Sequence, residues 1–391
     1  MGRQYRLAEQ TIDEDDLQDL IAWLKTNPWL TQGELVHEFE RQWAEWLSVR
    51  YTTFVNSGSS ANLLMYDALL LSGKLTNKKI VLPAVSWSTS VAPAIQLGFE
   101  PILCEADEHT FGLDLDCLER LLQAHHPGAV LIVHTLGVPN DMEPLLGLKD
   151  RFGFILMEDA CAAIGSRYDN QLVGTFGDVS TFSFYYGHHL STIEGGMICT
   201  HDEAIHDIFV QIRSHGWGKD LSTEKSETRA RKNNILAFNR PFTFYYPGYN
   251  LRSTDLNARI GLSQMKKIDY VVRRRIENHN IYQSRFQSAT SFHCQRNDRA
   301  SICSIAFVAL AQSQSQRERI AQVLRKNHIE TRPLGGGNMS RQPFWANCYE
   351  STAFPVADRI HETAFQLPNH PRLSPEDIQF ICDTVLSVTT A

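Results

Sequence analysis

The stretch Thr181–Thr200, TFSFYYGHHLSTIEGGMICT, decides how this chain is read. Val179, Thr181 and Phe182 lead in as a short strand, and Ile193 with Gly195-Gly196-Met197-Ile198 reads as the next one. Between them lie Ser183, Tyr185, Tyr186, Gly187, His188 and His189. Two neighbouring histidines between strands are compatible with plain packing. The segments on either side give them a second reading.

Upstream, Phe154–Asp159 is an apolar strand ending in two acids. Ligands of open α/β sheets bind beyond the C-terminal ends of the strands, which makes Asp159 a candidate site residue. Thr53-Phe54-Val55 is a short strand that runs into Asn56-Ser57-Gly58-Ser59-Ser60-Ala61-Asn62 and then the apolar helix Leu63–Leu71. A small-residue turn entering a helix leaves backbone N–H groups free at the positive end of the dipole, a site suited to phosphate. Ile80-Val81-Leu82-Pro83 is a buried strand, and Trp87 follows it. Further strands at Pro101–Ala106 and Ala129–His134 alternate with helices at Asp116–Ala124 and Met142–Phe152. That alternation predicts a mostly parallel sheet covered on both faces. Two helices precede it: one after Thr11–Asp16, with acids in its first turn, and Leu35–Leu47.

Downstream, a helix is expected over Glu203–Arg213, then Ser214-His215-Gly216-Trp217-Gly218 and a polar, mobile insertion over Lys219–Arg240. Tyr245–Asp255 contains Gly248-Tyr249-Asn250-Leu251-Arg252. One long helix is predicted over 255–285, with Lys266, Lys267, Arg273, Arg274 and Arg275 on a solvated face. A strand at Ser304–Leu310 and helices at Gln316–Asn327 and Pro375–Val385 suit a smaller α+β domain. The division expected is 1–255 for the large domain and 256–391 for the C-terminal one. The Gly-rich run Thr331–Met339 lacks the context of a nucleotide fingerprint.

Composition narrows the partners. With 391 residues, 43% hydrophobic and a net charge of -7, the chain can bury a large core and offers no global attraction for nucleic acid. Any phosphate must therefore meet local arginines, with Arg213, Arg229, Arg231 and Arg252 as candidates. No run of about 18 apolar residues reads as a membrane span, and MGRQYRLAEQ has no signal-like apolar region. The eight cysteines form no CxxC or CxC pair, so reduced thiols in a cytoplasmic protein are expected, with no metal site.

Taken in order, Ser57-Gly58-Ser59, Asp159, Ser183-Phe184, Gly195-Gly196 and Gly248-Tyr249-Asn250 resemble the DegT/DnrJ/EryC1/StrS sugar aminotransferases over nearly the whole chain. That resemblance implies the fold-type I, aspartate aminotransferase-like architecture and pyridoxal or pyridoxamine phosphate as cofactor. It implies Ser57, Gly58, Ser59, Ser183 and Asn250 around the phosphate, Asn250 reaching across a homodimer. It implies Trp87 stacked on the ring and Asp159 on the ring nitrogen. Where the family carries the lysine that bonds the cofactor, this sequence has His188, as do the family's sugar 3-dehydratases. Where the family usually has Gln, Glu or Asp three residues after the aspartate, it has Ala162.

An imidazole cannot make the lysine's bond, but it can move protons near neutral pH. The reaction implied is loss of the C3 hydroxyl from a nucleotide-diphosphate 4-keto-6-deoxysugar, giving a 3-deoxysugar for lipopolysaccharide or another glycan. His188 would be base and acid, and L-glutamate the amino donor. His215, Arg252, Tyr186 and Arg213 are weaker substrate contacts, and His189 is compatible with a structural role. Some relatives carry an iron–sulfur cluster on closely spaced cysteines; that spacing is absent here, so no cluster is expected. An aminotransferase or other enzyme on the same cofactor, and a non-catalytic partner subunit, remain alternative readings.

Overall fold

The parallel strands expected from the alternating pattern form one seven-stranded sheet in the computed structural model, which describes residues 3–287, 292–350 and 352–388. Helices α1 (Glu14–Leu24) and α2 (Glu34–Leu47) come first. The large unit continues with β1 (Tyr51–Val55), α3 (Gly58–Ser72), β2 (Lys79–Pro83), α4 (Ser88–Gln96), β3 (Glu100–Cys104), α5 (Leu115–His125), β4 (Ala129–Val133), α6 (Met142–Phe152) and β5 (Ile155–Asp159). After the short strands β6 (Arg167–Tyr168) and β7 (Gln171–Leu172) come β8 (Val179–Ser183), β9 (Gly196–Thr200), α7 (Glu203–Ile212) and α8 (Thr223–Lys232). The remainder is α9 (Asp255–Met265), α10 (Ile268–Gln287), β10 (His293–Cys294), β11 (Ala300–Ser301), β12 (Ala306–Leu310), α11 (Gln314–Lys326), α12 (Pro343–Ala346), α13 (Pro355–Thr363), β13 (Ala364–Pro368) and α14 (Pro375–Leu386).

The sheet runs β1-β9-β8-β5-β4-β2-β3. All pairs from β8 to β3 are parallel, while β9 is antiparallel to both β8 and β1. Strands β1, β2, β5 and β8 therefore end on the same side, which is where ligands of such sheets bind. Side chains alternate between faces. On β4, Leu131 packs with Leu64, Met65 and Leu69 of α3, while Val130 and Ile132 pack with Leu118 and Leu122 of α5. A second, three-stranded sheet, β10-β12-β13, packs Phe307 and Leu367 against Tyr282 of α10, Ile320 of α11 and Ile381 of α14.

Three expectations change here. The helix predicted over 255–285 is two helices. The amides of Lys266 and Lys267 donate to the carbonyls of Ser263 and Gln264, a tight-turn pattern, and the Lys267 ammonium swings to Asp13 at 2.5 Å and Asp16 at 3.0 Å. Pairing with carboxylates at the start of α1 wins over helical continuity. The basic stretch is a solvated face only in part: Lys266 and Arg273 are exposed, but Arg274 donates to the Leu373 carbonyl and Arg275 is 2% exposed. The insertion over Lys219–Arg240 carries α8, capped by Ser222 and tied by Lys225 to Glu203 and Asp207.

The structure also corrects Arg213 as a substrate contact. Its side chain is 1% exposed, and it donates to Glu40 at 2.6 Å and to the Phe54 carbonyl at 2.9 Å. Glu40 also accepts the Phe54 amide at 2.7 Å. Burial raises the Glu40 carboxyl, but the Arg213 charge together with hydrogen bonds from His37 and the Phe54 amide outweighs it and holds the group below its ordinary range. This pair pins α7 and α2 to β1. Arg213→Met leaves that carboxylate buried without its enclosed cation, with only the exposed His37 beside it at 3.1 Å, and should cost about 3–5 kcal/mol. The check is the denaturant midpoint, with Glu40→Gln added to Arg213→Met recovering part of the loss.

Candidate active site

The floor of the site is Asp159, which is 4% exposed at the C-terminal end of β5. One oxygen accepts from Asn62 Nδ2 of α3 at 2.9 Å and from Ser90 Oγ of α4 at 2.6 Å. The other accepts the Cys161 amide at 3.0 Å. Asn62 in turn accepts from Thr181 Oγ1 of β8 at 2.6 Å. A carboxylate offers about four acceptor positions, so these three donors leave room for one more. Glu158, the other acid of the pair, faces the opposite side. It accepts the amides of Gly174, Phe176 and Gly177 and meets His134 at 3.0 Å, so it is an anchor of the fold.

Beside the floor lies the start of α3. Ser57 caps that helix, its hydroxyl accepting the Ser60 amide at 3.0 Å. Helix geometry leaves the amides of Gly58 and Ser59 without a partner four residues back. Ser59 Oγ donates to Thr89 Oγ1 at 3.0 Å. The register aligns Val55, Gly196 and Ser183 in one row across β1, β9 and β8, which brings this helix start against Ser183. A Cβ on Gly58 would stand 2.5 Å from Ser183 Cβ, and one on Gly196 would stand 2.3 Å from the Ser57 carbonyl oxygen. Both positions need glycine because the backbones approach too closely for a side chain.

His188 hangs over this floor on the loop after β8. Its Nδ1 lies 2.7 Å from the Cys161 carbonyl oxygen. A carbonyl only accepts, so Nδ1 carries the proton and the neutral ring presents Nε2 as a lone pair. Burial lowers its pKa below the ordinary imidazole value; the Arg275 charge adds to this, while the Cys161 carbonyl and Asp159 oppose it. The Tyr185 ring stands edge-on to it at 6.2 Å. His189 points away, fully buried, with Nε2 donating to the Cys303 carbonyl at 2.8 Å, and burial holds it neutral.

The other candidates lie at various depths. Trp87 is 58% exposed, at the N-terminus of α4 and beside Gly335, so it is not a core tryptophan. Tyr186 is partly exposed on the His188 loop. Asn250 and Arg252 sit on a segment running beside the end of β1, bridged to Ser214 and Val55, and the Asn56 amide donates to Leu251. Asn250 and His215 are exposed, and His215 takes a left-handed backbone with φ of 61°. Arg213 is withdrawn from the group, as described above.

The family model described as the DegT/DnrJ/EryC1/StrS aminotransferase family matches residues 10–386. The chain belongs to this family. A GDP-4-keto-6-deoxy-D-mannose 3-dehydratase of Yersinia pseudotuberculosis is 33% identical over 338 residues, covering 85% of each chain. A GDP-perosamine synthase of Escherichia coli O157:H7 is 28% identical over 358 residues, covering 91% of each. Among solved structures, a GDP-4-keto-6-deoxymannose-3-dehydratase with a trapped PLP–glutamate geminal diamine superposes with a TM-score of 0.88 at 28% identity, covering 97% of this chain and all of that one.

The family depends on pyridoxal phosphate, and the site fits that group on its own geometry. It has a helix start with two unpartnered amides, a carboxylate with one acceptor position left, and an exposed indole. Sequence reasoning missed Asn62, Ser90 and the Cys161 carbonyl. Asn62 carried a signal: it is an amide directly before the apolar run Leu63-Leu64-Met65 of α3. Ser90 and Cys161 carried none, since their role depends on which way Asp159 turns. Gly58→Ala should lower affinity for pyridoxal phosphate by about tenfold or more, about 1.4 kcal/mol, because the added methyl displaces Ser183 at the cradle. Absorbance titration of the cofactor, with circular dichroism to confirm the fold, reads this directly.

Proposed function

We propose that this chain is a pyridoxal/pyridoxamine phosphate-dependent 3-dehydratase of a nucleotide-linked 4-keto-6-deoxyhexose. The observation that carries the reading is His188. It occupies the family's lysine position, with Nδ1 committed to the Cys161 carbonyl and Nε2 free to take a proton. No lysine lies between Lys149 and Lys219, and Lys149 is paired with Asp178. A covalent anchor from this segment is therefore unavailable.

Bound pyridoxamine phosphate would supply the electron sink that makes the sugar's C3 hydroxyl a leaving group. This chain's residues do the rest. Asp159 would orient the ring nitrogen by its remaining acceptor position, Trp87 would cover one face, and Gly58, Ser59 and Ser183 would hold the phosphate. Asn250, exposed at the edge of the fold, completes that cradle from the second subunit of a homodimer. His188 Nε2 takes a proton and delivers one to the departing C3 oxygen. The net balance is one ketosugar and one glutamate giving one 3-deoxysugar, one 2-oxoglutarate and one ammonia. Glutamate as donor is supported by the relative that holds it with the cofactor.

The second reading, aminotransfer, is favoured by the resemblance to a GDP-perosamine synthase. The two differ in products. Incubation with glutamate and GDP-, CDP- or dTDP-4-keto-6-deoxyhexoses should release ammonia in step with loss of the C3 oxygen; a stable aminosugar would sink the dehydratase reading. Borohydride treatment of protein carrying the aldehyde cofactor should leave no cofactor attached to the chain.

His188→Asn should lower turnover by about 10²–10⁴-fold while cofactor binding persists, since asparagine removes the proton shuttle and none of the proposed cofactor contacts. Because burial holds the imidazole neutral, the acid limb of kcat/KM should fall below pH 6.5, the ordinary value for histidine. A limb at or above that pH argues against His188 as the base.

A further inference from the structure

The glycine-rich run Leu334–Asn338 follows the backbone that leads into Trp87. The Met339 amide donates to the Ala84 carbonyl at 2.7 Å, Asn338 pairs with Val85 as an antiparallel bridge, and the Ser86 amide donates to the Gly337 carbonyl at 3.3 Å. A Cβ on Gly336 would stand 2.7 Å from the Ser86 carbonyl oxygen, and one on Gly335 would stand 3.7 Å from Trp87 Cε3. The run therefore grips residues 84–86 by hydrogen bonds and meets the edge of the indole itself.

Asn338 holds the run in this shape. It is 0% exposed. Its Nδ2 donates to Asp358 Oδ1 of α13 at 3.0 Å, and its Oδ1 accepts the amide and the hydroxyl of Ser340, both at 2.9 Å. Its own amide donates to His361 Nδ1 of α13 at 3.3 Å. Gln342 Nε2 adds a bond to the Gly336 carbonyl at 2.6 Å. Helix α13 is anchored in turn, because Glu105, just after β3, accepts the amides of Val356 and Ala357 at 3.2 and 3.0 Å. A continuous set of bonds runs from the end of β3 through α13 and Asn338 to the backbone that carries Trp87.

Trp87 needs such a fixture. It is 58% exposed, and an aromatic ring with so little cover of its own has more than one rotamer open to it. A flat indole caps a ligand at small entropic cost only when it is already held in place. We propose that Asn338 is a positioning residue that pins Leu334–Gly337 against Ser86 and so keeps the Trp87 indole where it covers the cofactor ring. This rests on the reading of Trp87 as that cover.

The first measurement uses cofactor-free protein. The chain has seven tryptophans; with fluorotryptophan incorporated, the fluorine NMR line of Trp87 is the one lost in Trp87→Phe. Asn338→Leu, close in size but unable to bond Asp358 or Ser340, should shift that line toward the position of the free amino acid. Asp358→Asn keeps an acceptor for Asn338 Nδ2 and should leave the line in place. The second measurement is absorbance titration with pyridoxal phosphate. Asn338→Leu should weaken binding about two- to tenfold, the cost of ordering one freed side chain. In a Trp87→Ala background the same substitution should cost nothing further, because the group it positions is gone.

An unmoved Trp87 line in Asn338→Leu overturns the proposal. So does an equal loss of affinity in both backgrounds, which would assign the effect to general loosening of the fold. Should Asn338→Leu not fold, Asp358→Ala is read in the same two ways. Unchanged affinity in Trp87→Ala alone would reject the indole as cover, and the proposal with it. Neither measurement involves a sugar, so absence of ammonia release would count against dehydration and leave these results standing.

Discussion

A carboxylate buried at the end of a parallel strand must be met by donors, and Asp159 draws them from three directions. Asn62 comes from α3, Ser90 from α4 and an amide from the turn after β5, while Thr181 of β8 holds Asn62 in place. One desolvated charge thus fixes four elements relative to one another. The turn that supplies the Cys161 amide to Asp159 also supplies the Cys161 carbonyl to His188. The floor of the site and the group suspended above it are set by two backbone groups of one residue, which leaves little freedom for either to shift alone.

The second constraint is the reversal at β9. A strictly parallel sheet would need a long crossover after β8; here the chain returns at once as an antiparallel strand between β8 and β1. The loop left by that reversal carries Tyr185 through Glu194 over the strand ends. It lies close to the helix start only because Gly58 and Gly196 have no side chains to hold Ser183 and Ser57 apart. The Gly-Gly after the histidines is thus a packing requirement of the neighbouring helix start as much as of the strand itself.

Two arginines show how burial alone does not define a role. Arg213 and Arg275 are both almost fully enclosed. Arg213 is neutralised by Glu40, so its charge is spent within the fold and it joins helices to the sheet. Arg275 meets only the backbone carbonyls of Ser304, Ile305 and Asn369, with no carboxylate paired to it among the described residues. The difference lies in the partner, a carboxylate in one case and peptide dipoles in the other.

Much of this was legible in residue order. Alternating apolar strands and amphipathic helices specify a doubly covered parallel sheet, because period and length are local properties. The small-residue turn at Ser57–Ser60, the acid pair closing β5 and the histidines before Gly-Gly are local signals as well, and they lie together because parallel strands end on one side. What sequence could not decide was the direction of side chains and the fate of charges. Which of Glu158 and Asp159 faces α3, whether a basic run on α10 meets water, and whether Arg213 is free all depend on neighbours far along the chain. Electrostatic energy is set by distance and burial, and both exist only once the chain has closed on itself.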